Sequence, residues 1–421
     1  MNADGQPPAE RAPVHSPPLG STYWRLWASS ALSNLADGVF KIGLPLMAIR
    51  FTREPGLIAG LSLALTLPWL LFALPAGAWA DRLDRRRAML GANVARAALL
   101  VVLAALAGFE LTSIWIFYLF AFGVGTAETV YDTSAQSILP QIVPREQLSR
   151  ANGRLYAAEL TANQFLGPPL GGFLVAAGVM VGLIAPGAIW LSALVVLWMV
   201  RGSFRVDRDQ PTTLRADIAE GLRFLWGHTL LRTLAIMVGG FNLASNAAFA
   251  VFVIYAVGSE SAMGLTEPAY GALLTTIAAG SLVGSFLAER LERRFGRARS
   301  LWLTVAGSSL LIGAPALSAS PFVLGVAFFV GGFTIMVWNI ITVSLRQRIA
   351  PDRLLGRVIS GYRMVAWGTM PIGAAVGGIL GQFLGLRAVF ALMALLTLSL
   401  LVPMAGITDA RIDAAERTAE E

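Results

Sequence analysis

The chain has 421 residues, of which 56% are apolar and 14% charged, with a mean hydropathy of +0.66 and a formal charge of +7. A soluble globular protein needs roughly 25% charged residues to wet its surface, so this composition excludes one and points to an integral membrane protein. With no cysteine and only His15 and His228 for histidines, disulfide scaffolds, thiolate or histidine metal centres and Ser–His relays have nothing to be built from.

Residues 1–21 are polar, with prolines at Pro7, Pro8, Pro13, Pro17 and Pro18, and read as a disordered tail. Apolar stretches long enough for the roughly 20 residues of a bilayer helix follow. They lie near 22–49, 56–80, 88–108, 113–138, 155–176, 182–200, 233–257, 268–288, 300–318, 321–344, 358–380 and 386–407. This predicts an all-α membrane protein with twelve transmembrane helices in two pseudo-symmetric six-helix bundles, 22–200 and 233–407. The segment 201–232 is the linker between them, and 408–421 is a second tail. Within the linker Leu214, Ile218, Leu222 and Leu225 fall at helical spacing, which predicts an amphipathic helix on the membrane surface.

Arginine placement orients the chain. Arg82, Arg85, Arg86 and Arg87 follow the second span, Arg145, Arg150 and Arg154 the fourth, and Arg290, Arg293, Arg294, Arg297 and Arg299 the eighth. Arg346, Arg348, Arg353 and Arg357 follow the tenth, while the opposite side has only Arg50, Arg53 and Arg387. Short arginine-rich loops stay cytoplasmic, so both termini are expected there. The positive charge is then topological, and the lipid bilayer rather than a nucleic acid is the expected partner. Arginine in place of nearly all lysine suits a GC-rich bacterial genome, hence a multi-pass protein of the bacterial inner membrane.

The chain also repeats itself. Ala80-Asp-Arg-Leu-Asp-Arg-Arg86 recurs as Ala288-Glu-Arg-Leu-Glu-Arg-Arg294, and Asn34-Leu-Ala36 as Asn242-Leu-Ala244, both 208 residues on (288 − 80 and 242 − 34). Ile142-x-Pro144-x-x-x-Leu148-x-Arg150 recurs as Ile349-x-Pro351-x-x-x-Leu355-x-Arg357 at 207 (349 − 142). Paired halves with a mid-membrane site between them are a transporter architecture that works by rocking one half on the other.

Three segments resemble the major facilitator superfamily. Gly77-Ala-Trp-Ala-Asp81-Arg82-Leu-Asp-Arg85-Arg86 is similar to its loop motif, with Asp84 where glycine is commoner. Gly167-Pro168-Pro-Leu-Gly171-Gly172 resembles the core of the fifth-helix motif of its drug:proton antiporters, without that motif's upstream glycines. Leu139-Pro-Gln-Ile-Val-Pro-Arg-Glu-Gln-Leu-Ser-Arg-Ala-Asn152 and Arg346-Gln-Arg-Ile-Ala-Pro-Asp-Arg-Leu-Leu-Gly-Arg357 are similar to the branch of macrolide and enterobactin exporters. The resemblance implies that Asp81, Arg82, Arg85 and Arg86 form a cytoplasmic gate, with Asp81 at the N-terminus of the eleventh span.

Glycines and prolines interrupt two spans: Gly167, Pro168, Gly171 and Gly172 in the fifth, and Pro371 among glycines in the eleventh. These predict bends and close packing. Charges inside the spans are more informative. Asp37 lies in the first span with Lys41, the sole lysine, one turn on. Each costs about 2.5–3.5 kcal/mol at the bilayer centre, so they are expected either to pair with each other or to face a wet cavity. Their repeat positions do not keep the charges, since Asp37 aligns with Ser245. Glu128 and Asp132 stand one turn apart in the fourth span, opposite Ile335 and Asn339 in the repeat. Two adjacent carboxylates resist simultaneous ionisation, which suits a proton taken up on one side and released on the other. Asp37, Glu128 and Asp132 are therefore the candidates for proton coupling, although Asp132 could instead pair with Arg85 or Arg86. Glu159 is expected to pair with Arg154 or another loop arginine. Lys41, Asn163, Gln164, Asn242, Asn246, Trp338, Asn339 and Trp367 are candidates for a cavity lining suited to bulky amphipathic molecules.

No Gly-x-x-x-x-Gly-Lys-Ser/Thr loop is present, and no cofactor, metal or enzymatic constellation is expected. The reading is a monomeric secondary transporter that exports an amphipathic small molecule, a drug or natural product, in exchange for protons. Its rivals are an exporter or flippase of siderophore or lysophospholipid without obligatory proton exchange, and a membrane sensor or scaffold that moves nothing.

Overall fold

The computed structural model describes residues 19–82, 84–144, 147–202, 204 and 214–420. The first part of the predicted tail and most of 201–213 lie outside the described residues. The first half contains α1 (Ser21–Ala48), α2 (Pro55–Arg82), α3 (Arg85–Gly108), α4 (Ile114–Ile138), α5 (Leu148–Glu159), α6 (Gly167–Ala177) and α7 (Val179–Trp198). After the linker helix α8 (Leu214–Gly227) come α9 (Thr229–Ala256), α10 (Glu267–Phe295), α11 (Arg297–Leu317), α12 (Pro321–Ile349) and α13 (Asp352–Leu384). The chain ends with α14 (Leu386–Ser399), α15 (Leu401–Met404) and α16 (Asp409–Glu420).

Among the described residues, ten helices are long and apolar enough to cross a membrane. α1 has the length but carries Ser29, Ser30, Ser33, Asn34, Asp37 and Lys41, which lower its hydropathy. The α5–α6 stretch is divided by a π-helical segment, Leu160–Leu166. Pro168 and Pro169 have no N–H, so the carbonyls of Gln164 and Phe165 lose their i+4 donors and the turn before the prolines widens. α13 differs from the expectation of an interrupted span, because it continues through Pro371 from Asp352 to Leu384. Gly178, at φ +139°, is the single residue between α6 and α7. A side chain there would be strained, so the break falls where glycine permits it.

The core is apolar as in a soluble protein, but so is much of the surface, and a few polar and charged groups are buried. Phe286, Leu317, Phe322, Phe383 and Val402 are exposed, whereas Ser33, Asp37, Arg96 and Glu128 are buried. Aromatic contacts fill each half: Phe40 meets Trp190 in the first, and Phe252 meets Tyr255, Tyr270, Phe328 and Phe390 in the second.

The halves meet where α2 packs on α13 and α6 on α10. Gly172 lies against the Glu267 backbone and Gly271 against Pro168, with no room for a Cβ at either crossing. At the end away from the arginine-rich loops, Arg50 Nη2 lies 3.3 Å from Glu267 Oε1 and Arg53 donates to the Val257 carbonyl at 3.0 Å. Deeper, Trp69 and Trp367 make an edge contact with centroids 4.7 Å apart. The linker helix α8 packs on α13, where Glu220 pairs with Arg357. α16 is not a loose tail: it buries Ile412, and Arg297 binds Glu416 at 2.6 Å and Asp413 at 2.7 Å.

Candidate substrate and proton site

The charges of α1 find partners on other helices, not on each other. Lys41 Nζ donates to Glu128 Oε1 of α4 at 2.7 Å. Asp37 Oδ1 lies 3.3 Å from Arg96 Nη1 of α3. Arg96 is wholly buried, donates to Ser33 Oγ at 3.0 Å and lies between the rings of Tyr131 (5.1 Å) and Trp190 (5.5 Å). Packing decides this arrangement, because charges in hydrocarbon are tolerated when each meets an opposite charge across the bundle. Arg96 Nε and Nη2 and Asn93 Nδ2 are buried with no hydrogen-bond partner among the described residues. The core of this half therefore holds more polar capacity than it uses.

Asp132, one turn from Glu128, makes no hydrogen bond or ion pair among the described residues. Its charged neighbours include Glu128, Asp37, Glu159, Arg96, Lys41 and Arg363. The pairing with Arg85 or Arg86 is not formed: Arg85 donates to the Ser137 carbonyl and Arg86 to the Trp198 carbonyl at 2.8 Å. Glu159 does not pair with Arg154, whose guanidinium lies over Trp24 at 5.2 Å. It is exposed at the end of α5, with Lys41, Arg363 and Glu128 as its charged neighbours.

The amides behave differently from one another. Asn242 donates to the Ala366 carbonyl at 2.7 Å and Asn246 to the Asn242 carbonyl at 2.9 Å, so both are committed to helix packing. Asn163 and Gln164 lie in the π-helical segment, where the Asn163 backbone packs on Gly38. Gly167 and Gly171 fit against Gly38 and Val39 of α1. On the facing wall, Trp338 neighbours Tyr362, Arg346 lies over the Tyr362 ring at 3.7 Å, and Arg363 lies over Trp367 at 5.2 Å. Asn339 is half-buried beside Trp338 on α12. The side chains of Asp81 and Arg82 lie outside the described residues, so the latch they imply is not placed. Next to them Asp84 caps α3, accepting from Arg87 N at 3.0 Å and from Phe204 N at 2.7 Å.

Sequence reasoning missed Arg96, Arg346 and Arg363 as lining or partner residues. The signal for Arg96 was present: an arginine inside an apolar span is a functional candidate by default. It was hidden by the arginine-rich loop just before it, which the positive-inside rule already explains. Among the described residues no group of three or more His, Asp or Glu side chains could hold a metal ion.

Comparison with known proteins gives the family. A profile described as transmembrane secretion effector, from the major facilitator superfamily, matches residues 13–420. The multidrug efflux pump Tap of Mycolicibacterium fortuitum is 27% identical over 375 residues, 85% of this chain and 89% of Tap. Macrolide efflux protein A of Streptococcus pyogenes is 24% identical over 407 residues, 92% of this chain and 96% of its own. The crystal structure of a point mutant of the nucleoside transporter NupG superposes with a TM-score of 0.72 at 13% identity, covering 92% of this chain and 100% of that one, a likeness of fold. The chain belongs to the transmembrane secretion effector family of the major facilitator superfamily, and is a multi-pass membrane transporter of small molecules, not an enzyme.

Proposed function

We propose that this protein exports amphipathic small molecules from bacteria across the inner membrane in exchange for protons, by alternating access and as a monomer. Twelve spans carry it, ten by apolarity plus α1 and the α5–α6 stretch. They form bundles over 22–200 and 233–407 joined by the linker 201–232, with both termini cytoplasmic. The efflux reading is supported by the multidrug and macrolide pumps it resembles over most of its length.

Asp132 carries the coupling argument. Glu128 has Lys41 and Asp37 has Arg96, whereas Asp132 has no ion pair among the described residues and stands beside both pairs. A carboxylate in that position binds a proton without breaking an existing pair, and a cationic group arriving from the cytoplasm displaces that proton. Glu128 and Asp37 then sense the exchange through their cations. Contacts at the outer end, from Arg50 and Arg53 to α10 and the end of α9, fit a carrier open towards the cytoplasm.

The test is proton release in proteoliposomes on addition of ethidium, rhodamine 123 or erythromycin. Wild type is expected to release protons, with Asp132→Asn lowering the coupled flux at least about tenfold, the size of a lost proton-transfer group. Full coupling in Asp132→Asn rejects the residue assignment, and no pH-dependent flux with any of the three probes rejects the mechanism.

A further inference from the structure

Across the junction of the halves, Glu159 and Asp132 of the first have Arg363 of the second as a charged neighbour. At the 207-residue repeat, Glu128, Asp132 and Glu159 stand opposite Ile335, Asn339 and Ala366, while Arg346 and Arg363 stand opposite Leu139 and Tyr156. These three carboxylates belong to the first half, and the stacked pair Arg346 and Arg363 to the second. On the first wall Asp132 and Glu159 make no ion pair or hydrogen bond among the described residues, so each still attracts a cation. On the second wall the Arg346 guanidinium lies over Tyr362, and its Nη1 is buried with no hydrogen-bond partner among the described residues. Arg363, exposed on α13 and stacked on Trp367, has Glu159 of the other half as a charged neighbour.

An arginine that served topology alone would keep its donors in water. Stacking instead holds a guanidinium by its face and leaves the in-plane N–H fork directed at whatever lies beside the ring. A carboxylate matches that fork with two charge-assisted hydrogen bonds. Trp338 and Trp367, both partly exposed, supply the apolar surface for the body between the charges.

We infer that the cargo is a zwitterionic amphiphile, an aromatic body whose cationic centre is drawn to Asp132 and Glu159 and whose carboxylate is held by Arg346 and Arg363. This rests on the transporter reading above and adds the class of cargo. The cationic centre competes with the coupling proton for Asp132 and the carboxylate does not, so recognition and exchange use separate walls.

The test uses two dyes that differ by one methyl group: rhodamine 110, with a free carboxylate beside its xanthene cation, and rhodamine 123, its methyl ester. Binding is followed by fluorescence polarisation with the purified full chain in detergent. Wild type is expected to bind rhodamine 110 about tenfold tighter, the worth of charge-assisted hydrogen bonds to one carboxylate. Arg346→Gln and Arg363→Gln are each expected to erase most of that preference while changing rhodamine 123 affinity less than about twofold, which also reports that the variants are folded. Equal affinities in wild type, a preference for the ester, a preference unchanged in both variants, or binding of neither dye overturns the inference. Because binding needs no gradient, an intact preference with no proton flux sinks only the coupling mechanism. Proton flux with no preference sinks only the zwitterion.

Discussion

A carboxylate whose cation is a wholly buried arginine cannot be neutralised by mutation without stranding that arginine. Asp37 and Arg96 are such a pair, with side-chain exposures of 4% and 0%. Asp37→Asn is therefore expected to destabilise the protein by about 3–5 kcal/mol, the range for breaking a buried pair from one side. Asp37→Asn with Arg96→Met removes both charges and is expected to recover most of that loss, as thermal unfolding followed by tryptophan fluorescence would show. A single variant as stable as wild type, or a double variant less stable than the single, contradicts the pairing. Glu128→Gln is milder, under about 1 kcal/mol, because the side chain of Lys41 is only partly buried, at 36% exposure. At this scale the sequence made Asp37, Lys41, Glu128 and Asp132 legible, since any charge stands out in an apolar run. Their partners were not legible. Spacing suggests the local pair Asp37–Lys41, but only packing brings α3 and α4 to α1 and offers each charge a better one.

Helix ends follow the same division between what spacing determines and what packing adds. Most spans begin and end within a few residues of their predicted limits, because arginine-rich loops, glycines and prolines punctuate them. The two prolines after Gly167 announced a bend, yet not that the preceding turn would widen into a π-helical segment. The repeat predicts equivalent loops before α3 and α11, but their caps differ. Asp84 caps α3 with its own side chain, whereas Gly296 before α11 has none, and Asp409 of α16 reaches across to accept from Ala298 N at 2.9 Å. His228 caps α9 through Nδ1, which accepts from Leu231 N at 3.4 Å. Its half-buried ring, stacked on Phe224, has its pKa lowered by burial from the ordinary value. The unfolded chain therefore takes up the proton first. The cap's contribution is complete above the ordinary histidine pKa of about 6.5 and fades as pH falls below it, because the imidazolium cannot accept from Leu231. Thermal melts from pH 7.5 to 5 should show wild type losing about 1 kcal/mol more than His228→Asn, a cap that does not titrate. Parallel curves for the two proteins would remove His228 from the pH response.

For the molecule as a whole, the unread feature was the set of contacts between the halves at the end away from the arginine-rich loops. Arg50 and Arg53 entered the sequence only as exceptions to a topological rule, because nothing in α1 and α2 names a partner more than 200 positions away. In the folded chain both reach the other half: Arg50 to Glu267 at 3.3 Å and Arg53 to the Val257 carbonyl at 3.0 Å. Under the alternating access proposed above, such contacts between halves form only while that end is closed, so they would bias the equilibrium towards the form open at the arginine-rich side. Partly exposed tethers of this kind contribute roughly 0.2–1 kcal/mol each, so losing both shifts the populations by about two- to thirtyfold. The chain has no cysteine, so a single Glu159→Cys substitution gives a clean reporter on the arginine-rich side. Its reaction with a hydrophilic maleimide is expected to slow by about that factor when Arg50→Ala and Arg53→Ala are added, as the inner cavity closes more of the time. Arg50→Glu alone should slow it as well, and Arg50→Glu with Glu267→Arg should restore the rate, since the swap rebuilds the pair in reverse. Restoration separates a clasp between halves from a general effect of outer-surface charge. A rate that ignores all of these changes would mean that the outer closure is held by the glycine crossings of α6 with α10 alone.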